Sequence, residues 1–168
     1  MTQLFAQPYD ISATGFYFES VEDYQKKADK NLNDYGEPVE EYEIQFIDGD
    51  DIDCALFKAL EIHQGTFHHF FEAVDIWSDE DKIKMIIATG ECGYRFDFEM
   101  QTPDEFDIDL YECDSMTELA EQFVEEGLFG EIPENIQRYL DYEKIAYDLG
   151  MDYSEITIAG KRLIYRCS

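Results

Sequence analysis

Between Arg95 and Arg138 the chain runs through 42 residues, Phe96 to Gln137, without a Lys, Arg or His, and that stretch carries fourteen carboxylates. A folded surface normally intersperses both signs, because like charges repel and destabilise the compact state. Asp97 with Glu99, and Asp107 with Asp109, are spaced two apart. On a strand such pairs share one face about 6.6 Å apart, twice the rise per residue. Glu118, Glu121 and Glu125 recur at i, i+3 and i+7, which on a helix separates them by about 4.5 to 6 Å along the axis. These intervals are comparable to one or two steps of about 3.4 Å along a DNA strand. The chemistry they could do is therefore substitution for rows of phosphates. Asp97, Glu99, Asp107, Asp109, Glu118, Glu121 and Glu125, with Glu112 and Glu126 beside them, are the candidate partner-binding residues.

The whole chain has 12 basic and 40 acidic side chains, a formal charge of −28. Such a chain repels nucleic acid and anionic membranes and attracts basic surfaces. Strong acidity often means disorder, yet hydrophobic residues make up 45% and aromatics 15%, with 13 Phe and 12 Tyr, enough for a packed core. A solvated acidic face is the ordinary meaning of such a run, but the absence of interspersed Lys over a long folded segment argues against it. High-salt adaptation would spread acidity evenly, whereas Lys26, Lys27, Lys30, Lys82 and Lys84 sit in the first half.

The elements that must position these carboxylates follow from periodicity. Thr14–Glu19 reads as a strand, Ser20 caps a helix running to Asn33, and Gly36 and Pro38 end it. Glu41–Ile47 alternates with Tyr42, Ile44 and Phe46 on one face, as a half-buried strand does. Asp53 to about Gly90 changes to helical spacing with breaks near Gly65 and Ser78–Asp79. Arg95–Met100 and Phe106–Tyr111 both alternate and read as a hairpin, with Phe96, Phe98, Met100, Phe106, Ile108 and Leu110 inward. Asp114 is the expected N-cap of a helix closed by Gly127, a second helix runs from Pro133 to Leu149, and two short strands meet around Gly160. The expected class is α+β, an elongated chain of three small lobes: an N-terminal α/β lobe (1–61), a middle helical lobe (62–94) and a C-terminal acidic α/β lobe (95–168).

Other chemistry has weak support. His63, His68 and His69 near Cys54 and Cys92 lack the paired ligand spacing of a zinc site. Asp48–Asp53 has the density of a calcium loop, but Ile52 occupies a ligand position and the Gly and terminal Glu are missing. No nucleophile elbow, phosphate loop or dinucleotide fingerprint occurs, and two carboxylates for hydrolysis can be picked from forty at will. No enzyme activity, cofactor or metal is expected. No apolar run approaches the roughly 20 residues of a membrane span, and Met1–Asp10 has no secretory signature, so a cytoplasmic location is expected. The four cysteines show no CxxC pair, which favours four reduced thiols there.

Leu119–Gly127 followed by Gly130–Leu149, above all Glu131-Ile-Pro133 leading into Tyr139-Leu-Asp-Tyr-Glu143 and Asp148-Leu149, resembles the C-terminal part of the ArdA antirestriction family. The likeness extends over Phe106–Tyr165 and continues more weakly through Gly15–Gly90. It departs at the start, where the short apolar strand expected first in the family is not read, and at Glu91–Glu105. The resemblance implies a curved homodimer, carried by a phage or other mobile element, that imitates B-form DNA. Its implied partner is the DNA-binding groove of type I restriction-modification enzymes, with no direct nucleic-acid or membrane binding. It adds Asp141, Glu143 and Asp148 to the candidate residues. An acidic adaptor, or an inhibitor of another basic DNA-binding protein, is the alternative.

Overall fold

A computed structural model describes the whole chain, Met1–Ser168. The chain is mixed α+β, with seven helices and two small antiparallel sheets, and divides into two compact units, Met1–Phe106 and Asp107–Ser168.

The first unit is built on a three-stranded sheet with β1 (Gln3–Pro8) in the centre, flanked by β2 (Phe16–Phe18) and β3 (Tyr42–Asp48). No strand was expected before Thr14, and β1 corrects that reading. Its alternation is carried by Leu4 and Ala6, both fully buried, and by Pro8. Ala and Pro are weak strand signals, and only pairing on both edges makes this segment a central strand. Gly15 sits where the sheet closes tightly, since a Cβ there would lie 2.4 Å from Phe5 Cζ and 2.6 Å from the Ala6 carbonyl oxygen.

Four helices follow the expected breaks: α1 (Val21–Ala28), α2 (Asp51–Ala59), α3 (Phe67–Ile76) and α4 (Asp79–Gly90). Ser20 caps α1 and Ser78 caps α4, each hydroxyl accepting at 3.1 Å from the backbone N–H three residues on. Helix α1 stops at Ala28, short of the expected Asn33. Aromatic rings join sheet to helices: Phe18 meets Tyr24 at 5.1 Å and Phe67 at 5.2 Å between centroids, and Phe57 meets Phe70 at 5.3 Å and Phe46 at 5.8 Å. Phe70 is core; Phe71 and Trp77 are half-buried.

In the second unit β4 (Ile108–Glu112), β5 (Ser154–Ile158) and β6 (Lys161–Cys167) form a sheet of order β4-β6-β5. Helices α5 (Met116–Glu125), α6 (Glu134–Gln137) and α7 (Tyr142–Leu149) complete it. The core gathers Cys113, Leu119, Phe123, Tyr153 and Ile164, with Tyr111, Met116 and Leu149 packed on it. At Gly127 (φ 77°) the chain turns left-handed. The Leu128 N–H reaches the Phe123 carbonyl and the Gly127 N–H that of Val124, closing α5 as a Schellman motif.

Four further sequence expectations need correction. The 95–100/106–111 hairpin does not form: β4 pairs with β6, and residues 95–100 belong to no strand. Helix α5 is capped by Ser115, whose Oγ accepts from Glu118 N, and not by Asp114. The Pro133–Leu149 helix is two helices, because Asp141 caps a fresh N-terminus by accepting from Lys144 N at 3.2 Å. The expectation of four reduced thiols holds for Cys54 and Cys113 and fails for Cys92 and Cys167.

One charged pair lies inside the first unit. Lys82 of α4 donates to Asp53 of α2 at 2.8 Å, and both side chains are buried. Removing one partner leaves an uncompensated charge away from water, a loss of about 3–5 kcal/mol. Lys82→Met should lower unfolding stability by that amount in urea titration, and Lys82→Met with Asp53→Leu should recover most of it. Equal losses in the single and double variants would refute this account.

Candidate partner-binding surface

The candidate carboxylates are positioned by ordinary local devices, and these separate free charges from engaged ones. Asp109 lies on β4 directly across from Arg166 of β6. The Arg166 Nε donates to Asp109 Oδ2 at 2.8 Å, and this bond raises the guanidinium's pKa above its usual value. Asp109 is half-buried and neutralised, the one candidate whose charge is matched by an ion pair within its own unit. Asp107 precedes β4 and Glu112 ends it, both exposed.

Helix α5 buries Leu119, Ala120, Phe123 and Val124 and turns Glu118, Glu121 and Glu125 to solvent. Glu118 is partly engaged at the N-terminus, where its Oε2 accepts from Asp114 N at 2.9 Å and completes a reciprocal cap with Ser115. Glu121 and Glu125 make no such bond, and Glu126 accepts only from Gln122 Nε2 at 3.0 Å. Along the axis Glu118, Glu121 and Glu125 keep the expected separations of about 4.5 and 6 Å. On α7 Asp141 is the N-cap, while Glu143 and Asp148 are exposed on either side of buried Ala146.

Several of these charges sit where the helix opposes them. The C-terminal end of a helix carries partial negative charge and favours cations. Neither α5 nor α7 has a basic residue in its last turn, and Glu125, Glu126 and Asp148 stand there instead. Their placement costs stability, so it is not explained by folding.

Asp97 and Glu99 are exposed but not strand neighbours, so the 6.6 Å spacing does not apply to them. Asp97 Oδ1 accepts from Glu99 N and its backbone carbonyl accepts from Gln101 N, both at 2.9 Å, making a turn. The two-residue period belongs instead to Phe96 and Phe98, which pack on Trp77 at 5.6 and 6.3 Å, with Phe98 stacked on His69 at 5.1 Å. Met100, expected inward, is exposed.

The first unit carries acidity that reading for a single basic-free run passed over. Met1–Phe106 has 25 acidic against 7 basic residues, and Asp107–Ser168 has 15 against 5. Residues 31–57 form a second stretch without Lys, Arg or His, bearing nine carboxylates. Eight of the nine are exposed, and the ninth, Asp53, is the buried partner of Lys82. Counting basic-free runs along the whole chain would have found it. Within the two units only Glu22, Asp23, Asp53 and Asp109 meet a Lys or Arg. No three His, Cys, Asp or Glu side chains gather as a metal site, and no helix is long and apolar enough to cross a membrane.

If Glu125 and Glu126 are held against the α5 dipole, neutralising them must stabilise the fold. Glu125→Gln with Glu126→Gln should gain about 0.3–1 kcal/mol per residue at low ionic strength, shrinking as salt rises. A lower melting temperature in the double variant would show that these carboxylates contribute to folding after all.

A family model described as "Antirestriction protein (ArdA)" matches residues 9–161. No match is found among curated proteins.

Proposed function

Because the chain belongs to the ArdA family of antirestriction proteins, we propose that it acts as a substitute for DNA, occupying the DNA-binding groove of type I restriction-modification enzymes. The observation that carries this reading is the set of exposed carboxylates without a basic partner, those on the last turns of α5 and α7 kept where they cost stability, with eight more exposed through residues 31–57. A groove that binds DNA gains much of its affinity from Lys and Arg contacts to phosphate. Carboxylates on a folded frame satisfy those cations without offering base edges to read. The protein then inhibits by competition and not by catalysis, without a cofactor, and acts as a homodimer in the cytoplasm of the host cell.

Roles within the surface follow from engagement. Glu112, Glu121, Glu125, Glu143 and Asp148 are the freest phosphate substitutes of the second unit, together with Asp107 and Glu126, and Asp97 and Glu99 are candidates of the first. Glu118 and Asp141 serve a cap as well as the surface. Asp109 contributes least, since Arg166 already holds it.

The direct test is displacement of labelled DNA from a purified type I restriction-modification enzyme across a salt series. Displacement near stoichiometric amounts, weakening as salt rises, is the expected result. Replacing Glu121, Glu125, Glu143 and Asp148 together by Gln or Asn should weaken it about tenfold or more and flatten the salt dependence, while each alone changes it little. Loss of inhibition from one such substitution in a folded protein would refute a distributed surface. Failure to displace DNA at any salt would point to a different basic partner.

A further inference from the structure

Two loops of the first unit are held together by polar side chains. Asp10 accepts from Ser12 N, Ser12 Oγ and Asn33 Nδ2, each at 2.9 Å. Asn33 Oδ1 accepts in turn from Tyr35 N and Glu37 N at 2.9 Å, Ser12 Oγ accepts from Asp34 N at 3.3 Å, and Asn31 Nδ2 donates to the Thr14 carbonyl at 2.9 Å. The bond from Asn33, with those from Ser12, lowers the pKa of Asp10, so the ionised acceptor on which this network depends persists at neutral pH.

This fixed frame presents large apolar side chains to solvent. Tyr9 is 65% exposed, Ile11 101%, Leu32 52% and Tyr35 83%. A single exposed apolar residue is ordinary. Four on two short loops whose backbone is already ordered are a pre-organised contact, because docking them loses little conformational entropy. Their surroundings in the chain are predominantly acidic: Lys30 is the one basic residue on the two loops, none occurs in residues 1–25 or 31–57, and Asp34 and Glu37 lie on either side of Tyr35.

We propose that this loop pair is an anchor in which Ile11 and Tyr35, with Tyr9 beside them, fill an apolar pocket on the target protein ringed by Lys or Arg. The inference rests on the DNA-substitute reading for the nature of that partner. A second copy of the chain is a poor occupant, since it would bring the same carboxylates against Asp34 and Glu37, and like charges facing across an interface are costly. The anchor gives the inhibitor what its carboxylates cannot. Charge contacts weaken as salt rises, whereas apolar contact does not, and a shaped pocket discriminates between basic partners that carboxylates alone bind alike.

The test is the double variant Ile11→Ser, Tyr35→Ser, whose altered side chains are exposed and whose melting temperature should equal that of the parent. In the displacement assay against the type I enzyme it should be weaker by about tenfold or more, with an unchanged slope of affinity on salt, and Tyr35→Phe alone should stay near the parent. Activity within twofold of the parent, from a parent that does displace DNA, would make the loops plain surface and leave the DNA-substitute reading intact. A loss accompanied by a flatter salt slope would mark a charge effect and overturn the anchor. Weaker self-association of the double variant in sedimentation would make a second copy the occupant and overturn it equally. A parent that displaces no DNA at any salt would refute the underlying reading, and the anchor's partner with it.

Discussion

Mutual repulsion among forty carboxylates is the constraint to which every other feature of this protein answers. Twelve basic side chains cannot neutralise them, and only a few are used for that purpose. The apolar content must therefore offset both chain entropy and self-repulsion. Aromatic residues meet that need with large buried area per residue. Rings from the sheet and from α1, α2 and α3 interlock in the first unit, and Tyr111, Phe123 and Tyr153 do so in the second. A protein so rich in Phe and Tyr keeps its surface acidic and still has an interior.

The carboxylates fall into three physical situations. Some are engaged at helix starts, where the dipole welcomes them: Glu118 on α5 and Asp141 on α7 accept from backbone amides, and Asp81 on α4 accepts from the Ser78 hydroxyl. A few are neutralised, Asp53 in the interior and Asp109 across the second sheet. The remainder face solvent unpaired, including those on helix ends where the dipole opposes them. Those on the helix ends stand against the dipole, so folding does not account for them.

Legibility varied with the kind of signal. The helices of 51–90 were readable because apolar spacing and the breaks near Gly65 and Ser78 are local properties, and the Tyr42–Ile44–Phe46 face of β3 was readable from alternation. The false hairpin shows where alternation misleads. Phe96 and Phe98 are two apart because both pack on Trp77, and a two-residue period arises from a turn over an aromatic shelf as readily as from a strand. Strand β1 failed in the opposite direction, since Ala6 and Pro8 say little until β2 and β3 pair on either side. The candidate site was legible as composition, because charge is written residue by residue. Its geometry was legible only on α5, where the helical period is itself a local property.

The sequence by itself determined the acidity, the sufficiency of apolar residues for a core, the helical lengths that carry Glu118, Glu121 and Glu125, and the family to which the chain belongs. These are sums or short-range periodicities, which need no knowledge of what lies opposite. Tertiary structure alone decided which carboxylates are free. Asp109 is silenced by Arg166, fifty-seven residues away, and Asp53 by Lys82, twenty-nine residues away. Asp97 and Glu99 were moved off a strand by rings that pack against another helix. Whether a charge is available to a partner depends on its neighbours in space, and long-range pairing is the information a local reading of the chain lacks.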